Sequence, residues 1–281
     1  MSFRRHPAVA GQFYPSNNDA LISSLRVSFL HKHGPGELPP SQPPIKPIYG
    51  LISPHAGYVY SGPVAAHGYY AISGLNDIDL FVILGPNHGG IGSTVATVRG
   101  GVWETPLGEV KVDSDAANEL VEDCDIVEFD EEAHAREHSI EVQLPFLQFI
   151  FRNEFQILPI SMTLQDRVTS EEIGRALYGV VQKRKAMLVA SSDLTHYEPH
   201  DLASSRDKEL LKASQSLDVD MHYETLKRME ITACGYGPMA AVMTASRALG
   251  GTQAKLLKYS TSGETGGDYS SVVGYASLLI T

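Results

Sequence analysis

From Ile48 onward, short runs that are apolar at every position alternate with longer runs that are apolar at helical spacing. "IYGLIS", "DLFVILG", "FQILPISM" and "AMLVASSD" belong to the first kind, and such continuous runs mark strands buried on both faces. "GPVAAHGYYAIS", "SDAANELVEDC", "SEEIGRALYGVVQKR" and "YGPMAAVMTASRALGG" belong to the second. Ser114 is placed to cap the helix it opens, and the glycine pair Gly250–Gly251 stops the last one. A further helix is predicted over "NDALISSLRVSFLHKH", behind a loop or edge segment "HPAVAGQFYPS". "STVATV" with "LGEVKVD" predicts antiparallel strands, and "AKLLKYSTS" and "SSVVGYASLLI" close the chain as strands. Alternation of this kind gives a largely parallel sheet with helices on both sides. The antiparallel runs make the sheet mixed. The expectation is one three-layer α/β/α sandwich spanning residues 1–281.

Residues 34–47, "GPGELPPSQPPIKP", break the pattern, because proline at this density excludes helix and sheet interior. Too little chain precedes them for a separate domain, so they read as a surface loop. Composition adds exclusions. The 281 residues are 43% hydrophobic and 20% charged, ordinary for a globular chain. A formal net charge of -11 opposes nucleic acid as the main partner, since phosphate binding needs a basic surface. No apolar run approaches the roughly 18 residues of a membrane span. "MSFRRHPAVAG" has no apolar stretch behind its arginines, so no signal peptide is expected. Cys124 and Cys234 make no disulfide framework. The expected compartment is the cytoplasm.

Ligands of open α/β sheets sit outside the carboxyl ends of the strands. Three predicted strands deliver polar residues there. "LIS" leads to His55, "FVILGPN" to His88, and "MLVASSD" to Asp193 and His196. Cys234, in "ITACGYGPM", stands just before a predicted helix, where the dipole is expected to ease ionisation of a thiol. Imidazoles and a thiolate suit a transition metal. Gly57, Gly85, Gly89 and Gly235 beside these residues permit close approach of backbone or ligand. One histidine after a strand is ordinarily a turn residue, one cysteine ordinarily an inert small side chain, and one aspartate a turn former. The recurrence at three strand ends carries the metal reading. His67 lies mid-helix and reads as structural, and Cys124 has no evident role.

One rival motif is literal. "HAREH", His134 to His138, matches H-x-x-E-H, an inverted zinc-protease signature. That chemistry needs both histidines one turn apart on a helix. Pro145 follows closely and Ser139 is placed to cap the next helix, which puts "HAREH" in a loop and makes the zinc protease the weaker reading.

"SPHAGYVYSG", "LGPNHGG", "WETPLGEVKVD", "EHSIEVQLPFLQ", "ASSDLTHY", "TACGYGP" and "DYSSVVGYAS" occur in this order along nearly the whole chain. Together they resemble the Memo family, whose prokaryotic members are called AmmeMemoRadiSam system protein B. That family is similar in turn to the class III extradiol ring-cleaving dioxygenases. Their α/β/α fold holds a non-haem Fe(II) by two histidines and a carboxylate. The resemblance implies that His55 and His88 match the two histidine ligands and His196 the acid/base histidine. Cys234 stands at the carboxylate ligand's place, and Asp193 matches an aspartate kept beside the site. A thiolate in place of a carboxylate alters metal preference, so Fe(II) is joined by copper or zinc as candidates. His138 or Glu141, within "EHSIE", is expected to line the pocket.

The leading reading is therefore a metal-binding redox protein or oxygenase with a small-molecule or peptide substrate. His196 would move the proton, Asp193 would orient it, and Tyr58, Tyr60 and Tyr197 would donate hydrogen bonds to substrate. The second reading is a peptide- or protein-binding adaptor without turnover, using the same pocket. The family's system name further implies association with an AMMECR1-like protein and a radical S-adenosylmethionine enzyme.

Overall fold

The computed structural model describes residues 3–40, 47–75, 77–151 and 154–281. Positions 41–46 of the proline-rich segment lie outside the described residues. Five strands form a parallel centre in the order β6 (Gly108–Val112), β8 (Gln156–Met162), β3 (Leu80–Pro86), β9 (Ala186–Ser191) and β2 (Gly50–Ser53). Antiparallel strands extend it. β5 (Val102–Thr105) pairs with β6, and β12 (Val272–Ile280) pairs with β2. β11 (Ala254–Thr261) and β10 (His196–Glu198) pair with β12. β4 (Val95–Thr97) runs antiparallel to β8 and parallel to β7 (Glu128–Phe129), while β1 (Arg4–Arg5) lies parallel to β5. The sheet is mixed, with a parallel core, as the pattern predicts.

Alternation along the central strands builds two cores. Leu51, Phe81, Ile83, Met187 and Val189 face α1 (Asn18–Leu30), α2 (Tyr58–Ile72) and α5 (Leu144–Ile150). Ile52, Val82, Leu84, Leu188 and Ala190 face α3 (Ser114–Asp123), α6 (Arg167–Val181), α7 (His200–Gln215), α8 (Val219–Met229) and α9 (Tyr236–Ala248). Each of these side chains larger than alanine contributes roughly 1.5–3 kcal/mol by burial. Two short helices, α4 (Glu132–Ala135) and α10 (Ser262–Gly266), lie outside these layers.

The local differences from the sequence reading have identifiable causes. "STVATV" and "LGEVKVD" each enter an antiparallel pair, but not with each other. The hairpin partner of β6 is β5, whose four residues alternate between half-buried and buried and so give only a weak signal. α3 is capped by Asp113, whose carboxylate accepts from Asp115 N and Ala116 N, rather than by Ser114. α2 starts at Tyr58, so Pro63 lies inside it instead of opening it. The pattern assigned nothing to residues 200–229, where α7 and α8 stand; both are polar on average, with a narrow apolar stripe.

The N-terminal segment is held by a buried ion pair. Arg5 Nη1 donates to Glu141 Oε2 at 2.6 Å, with both side chains almost fully enclosed. Glu141 also accepts from Ala8 N at 2.8 Å, Val9 N at 3.1 Å and the Tyr14 hydroxyl. Arg5 further donates to the carbonyls of His134 at 2.9 Å and Glu137 at 2.6 Å, and lies over Trp103. Removing one partner of a buried pair leaves the other charge uncompensated. Arg5→Met is therefore expected to cost about 3–5 kcal/mol in urea unfolding. The double change Arg5→Met with Glu141→Leu is expected to recover a large part of that loss. Equal destabilisation by the single and double variants would show that the pair's charge is not the cause.

Candidate metal centre

β3, β9 and β2 are neighbours that end level, with Leu84 opposite Ala190 and Ser53 opposite Ser191. The chain leaves β2 into Pro54 and His55, β3 into Asn87 and His88, and β9 into Ser192 and Asp193. Register thus sets the histidines side by side. Cys234 joins them from the turn before α9. His55, His88 and Cys234 bring one donor atom each to within 4.8 Å of one another. His55 Nε2 and Cys234 Sγ are 3.1 Å apart, and the His55 and His88 rings meet edge to face at 5.2 Å.

The proton positions on His55 follow from counting. The Ser191 hydroxyl donates to the Ser139 carbonyl at 2.7 Å, which uses its one proton. Toward Gln143 Nε2 at 2.7 Å and His55 Nδ1 at 2.9 Å it can only accept. His55 therefore carries its proton on Nδ1 and offers an Nε2 lone pair to the pocket. Burial, with the neighbouring His138, His88 and His196, holds the His55 pKa well below the ordinary imidazole value, so the ring is neutral.

Cys234 is fixed by its backbone. Its N–H donates to the Asp193 carbonyl at 3.2 Å, and Gln165 brackets the turn by donating to the Cys234 carbonyl and accepting from Gly237 N, both at 2.9 Å. A Cβ on Gly235 would strike the Ser191 carbonyl and Ser192, so only glycine lets this turn rest on the end of β9. A Cβ on Gly85 would strike Ser139, so glycine there lets the 137–140 segment lie across β3. Gly57 and Gly89 have no such close neighbour. The helix start alone would depress the Cys234 thiol pKa. Burial and the nearby Asp193 push it well above the ordinary value, outweighing the start of α9.

Asp193 accepts from His55 N at 2.8 Å, and burial raises its pKa to about 6 against the opposing His55 N–H, His196 and His88. His196 sits at the start of β10, where its Nδ1 donates to the carbonyls of Leu194 at 2.6 Å and Thr232 at 3.0 Å, leaving Nε2 unprotonated in the neutral ring. Tyr197 follows at φ 61 in a β-bulge and is 77% exposed, a costly backbone for an aromatic residue. Tyr60, also exposed, packs against Gly266. Tyr58, expected to meet substrate, is packed into the core. It is buried, and its hydroxyl is spent on the Val142 carbonyl at 2.7 Å.

"HAREH" is divided by the fold. α4 ends at Ala135, and His134 is buried with Nε2 donating to the Ala96 carbonyl at 3.1 Å. His138 lies on the pocket side, stacked on His88 at 4.6 Å. No helix carries both histidines, so the zinc-protease geometry is missing. Glu141 is committed to Arg5 and does not line the pocket. Ser139 caps nothing; its hydroxyl donates to the Pro86 carbonyl at 2.9 Å. The residue that sequence reasoning missed is Glu137. Its carboxylate meets His88 Nδ1 at 3.0 Å and groups with His88 and His138. Burial acts to raise the Glu137 pKa, but the hydrogen bond and charge of His88, with His138 and Ser139 N, bring it down to about 2. His88 is raised in turn: Glu137 and Asp193 outweigh its burial. Only position, next to a histidine in an acidic run, could have drawn attention to Glu137.

Fold and site together define an α/β/α protein with two histidines and a cysteine converging at the carboxyl edge of a mixed sheet. The chain belongs to the Memo-like protein family, whose pattern it matches over residues 5–279. A MEMO1 family protein of Methanopyrus kandleri is 45% identical over 277 residues, 98% of either chain. One from Nitrosopumilus maritimus is 48% identical over 274 residues, again 98% of each. The crystal structure of an uncharacterized protein from Escherichia coli K12 superposes with a TM-score of 0.55 at 17% identity, covering 84% of this chain and 100% of that one. That likeness concerns the fold. Among the described residues no helix is long and apolar enough to cross a membrane.

A raised thiol pKa has a direct consequence, because only the thiolate attacks electrophiles. In chelator-treated protein at neutral pH, Cys234 is expected to react with iodoacetamide at least tenfold more slowly than a free thiol, and to accelerate as pH rises. Mass spectrometry of the two cysteine peptides measures this; fast modification of Cys234 at pH 7 would contradict the burial argument.

Proposed function

We propose that this Memo-family chain binds one transition-metal ion through His55, His88 and Cys234 and carries out redox or oxygen chemistry on a small or peptide-borne substrate. The observation that supports it is the convergence of the three donor atoms within 4.8 Å. The donor set fits such an ion. Two imidazoles and a soft sulfur suit iron, copper or zinc, and ligand atoms of one tetrahedral or facial set lie within this range of each other. Fe(II) is the first choice from the dioxygenase resemblance, with copper favoured by the sulfur. A bound ion with open positions would supply Lewis acidity and, for iron or copper, one-electron chemistry.

The chain's own groups define the rest. His196 Nε2, unprotonated because Nδ1 is committed to two carbonyls, would accept a substrate proton. Asp193, buried with a pKa near 6, would stabilise the imidazolium that results. Tyr60 and Tyr197 stand exposed and would meet the substrate. With a thiol in place of the carboxylate as third ligand, catechol ring cleavage is expected to be weak or absent. An AMMECR1-like protein and a radical S-adenosylmethionine enzyme are expected to act with this chain, on the strength of the resemblance alone.

Protein purified without chelator or affinity-tag nickel is expected to contain one metal ion per chain by mass spectrometry, and His55→Ala to lose it while keeping its circular dichroism. Anaerobic Fe(II)-loaded protein is expected to consume dioxygen when exposed to air, and His196→Gln to slow this at least tenfold. Stoichiometric metal without oxygen uptake across a catechol and thiol panel would favour the adaptor reading instead. Absence of metal binding altogether would end the proposal.

A further inference from the structure

The group formed by His88, Glu137 and His138 shares His88 with the proposed metal ligands, and the hydrogen bonds around Glu137 show which use of it the fold favours. Glu137 Oε2 accepts from His88 N at 2.6 Å and Oε1 accepts from Ser139 N at 2.7 Å. Two backbone donors thus clamp the carboxylate from both sides. Between them lies His88 Nδ1, 3.0 Å from Oε1 and 3.2 Å from Oε2. The segment bearing Glu137 is held in turn: its carbonyl accepts from Arg5, and Ser139 is bonded through its hydroxyl to Pro86 and through its carbonyl to Ser191. The stacked ring of His138 has its Nδ1 3.5 Å from Glu137 Oε1.

An ionised carboxylate can only accept, so the nitrogen facing it must carry the proton. We infer that Glu137 is a positioning residue that fixes His88 as the Nδ1–H tautomer, so that its Nε2 lone pair joins that of His55 in the pocket. The inference rests on the metal-binding reading for its purpose, though not for its geometry. It makes the second cluster a support for the first rather than a second metal site, because the oxygens of Glu137 are already occupied by N–H donors. Ser191 does for His55 what Glu137 does for His88. Each ligand histidine is therefore oriented through its outer nitrogen, the arrangement that raises ligand basicity and holds the ring at one angle.

The test begins with metal-free wild-type protein carrying 15N-histidine, using long-range proton–nitrogen spectra at alkaline pH with His88 assigned by its His88→Gln variant. The Nδ1–H tautomer at His88 is expected; the Nε2–H tautomer would overturn the inference, whether or not any variant folds. In Glu137→Gln, whichever oxygen the amide nitrogen replaces, it meets a backbone N–H, so the clamp opens and His88 is expected to gain the Nε2–H tautomer. Zinc affinity, measured by competition with a chromophoric chelator, is expected to fall tenfold to a hundredfold. Glu137→Asp, which keeps the carboxylate, is expected to recover part of that loss. Unchanged tautomer and zinc affinity in Glu137→Gln would refute the role. So would two zinc ions per wild-type chain with one lost in Glu137→Gln, because Glu137 would then be a ligand. If wild-type protein binds none of zinc, iron and copper yet shows Nδ1–H at His88, the metal reading falls and the positioning by Glu137 stands.

Discussion

The Ser191 hydroxyl has a single proton, and the Ser139 carbonyl takes it. Much of the pocket follows from that bond. It ties the end of the central strand β9 to the 137–143 segment, which also reaches the end of β3 through the Ser139 hydroxyl and the Pro86 carbonyl. It leaves Ser191 an acceptor, and so fixes the tautomer of His55 and the orientation of the Gln143 amide, whose nitrogen also reaches the Pro54 carbonyl. It holds the backbone from which Glu137 reaches His88. A buried hydrogen bond of this kind contributes only about 1 kcal/mol to stability. Its importance lies in direction, because every other donor in the network must point to suit it.

The fold was legible because a two-faced sheet leaves so strong a mark. Runs such as "DLFVILG" and "AMLVASSD" can be buried nowhere else, and the carboxyl ends of three such runs named His55, His88, Asp193 and His196. What the pattern could not show was register. The histidines are adjacent because β3, β9 and β2 are neighbours, an order set by connections and packing rather than by any local signal. Tyr58 misled for the opposite reason. Its place beside "PHAG" suggested substrate, but helical phase inside α2 turns it into the core. The Ser191 hydroxyl and the Gln143 amide were illegible altogether, since nothing in "ASSD" or "VQLP" separates such a group from an ordinary buried polar residue, and Glu137 carried only its position beside a histidine. The Cys234 thiol shows the limit of reasoning from a helix start: the dipole's favourable contribution is smaller than the cost of burying a negative charge beside Asp193.

Two buried carboxylates border this pocket, and the fold drives them in opposite directions. Glu137, clamped by two backbone N–H groups and facing two imidazoles, is held ionised down to about pH 2. Asp193 lies deeper, and burial outweighs its donors so that it titrates near pH 6. Carboxyl groups whose environments separate them this far serve different ends. The first is a permanent charge, suited to orienting a ring and useless for moving a proton. The second lies close enough to neutrality to exchange one, beside the imidazole whose charge it senses. The Cys234 thiol, placed within reach of the same aspartate, adds a proton that must leave before sulfur can bind a cation. At the proposed metal site, binding at sulfur would therefore release a proton beside Asp193, while Ser191 and Glu137 hold the tautomers of His55 and His88. Asp193, Ser191 and Glu137 come from two places, the end of β9 and the 137–143 segment that lies across β3.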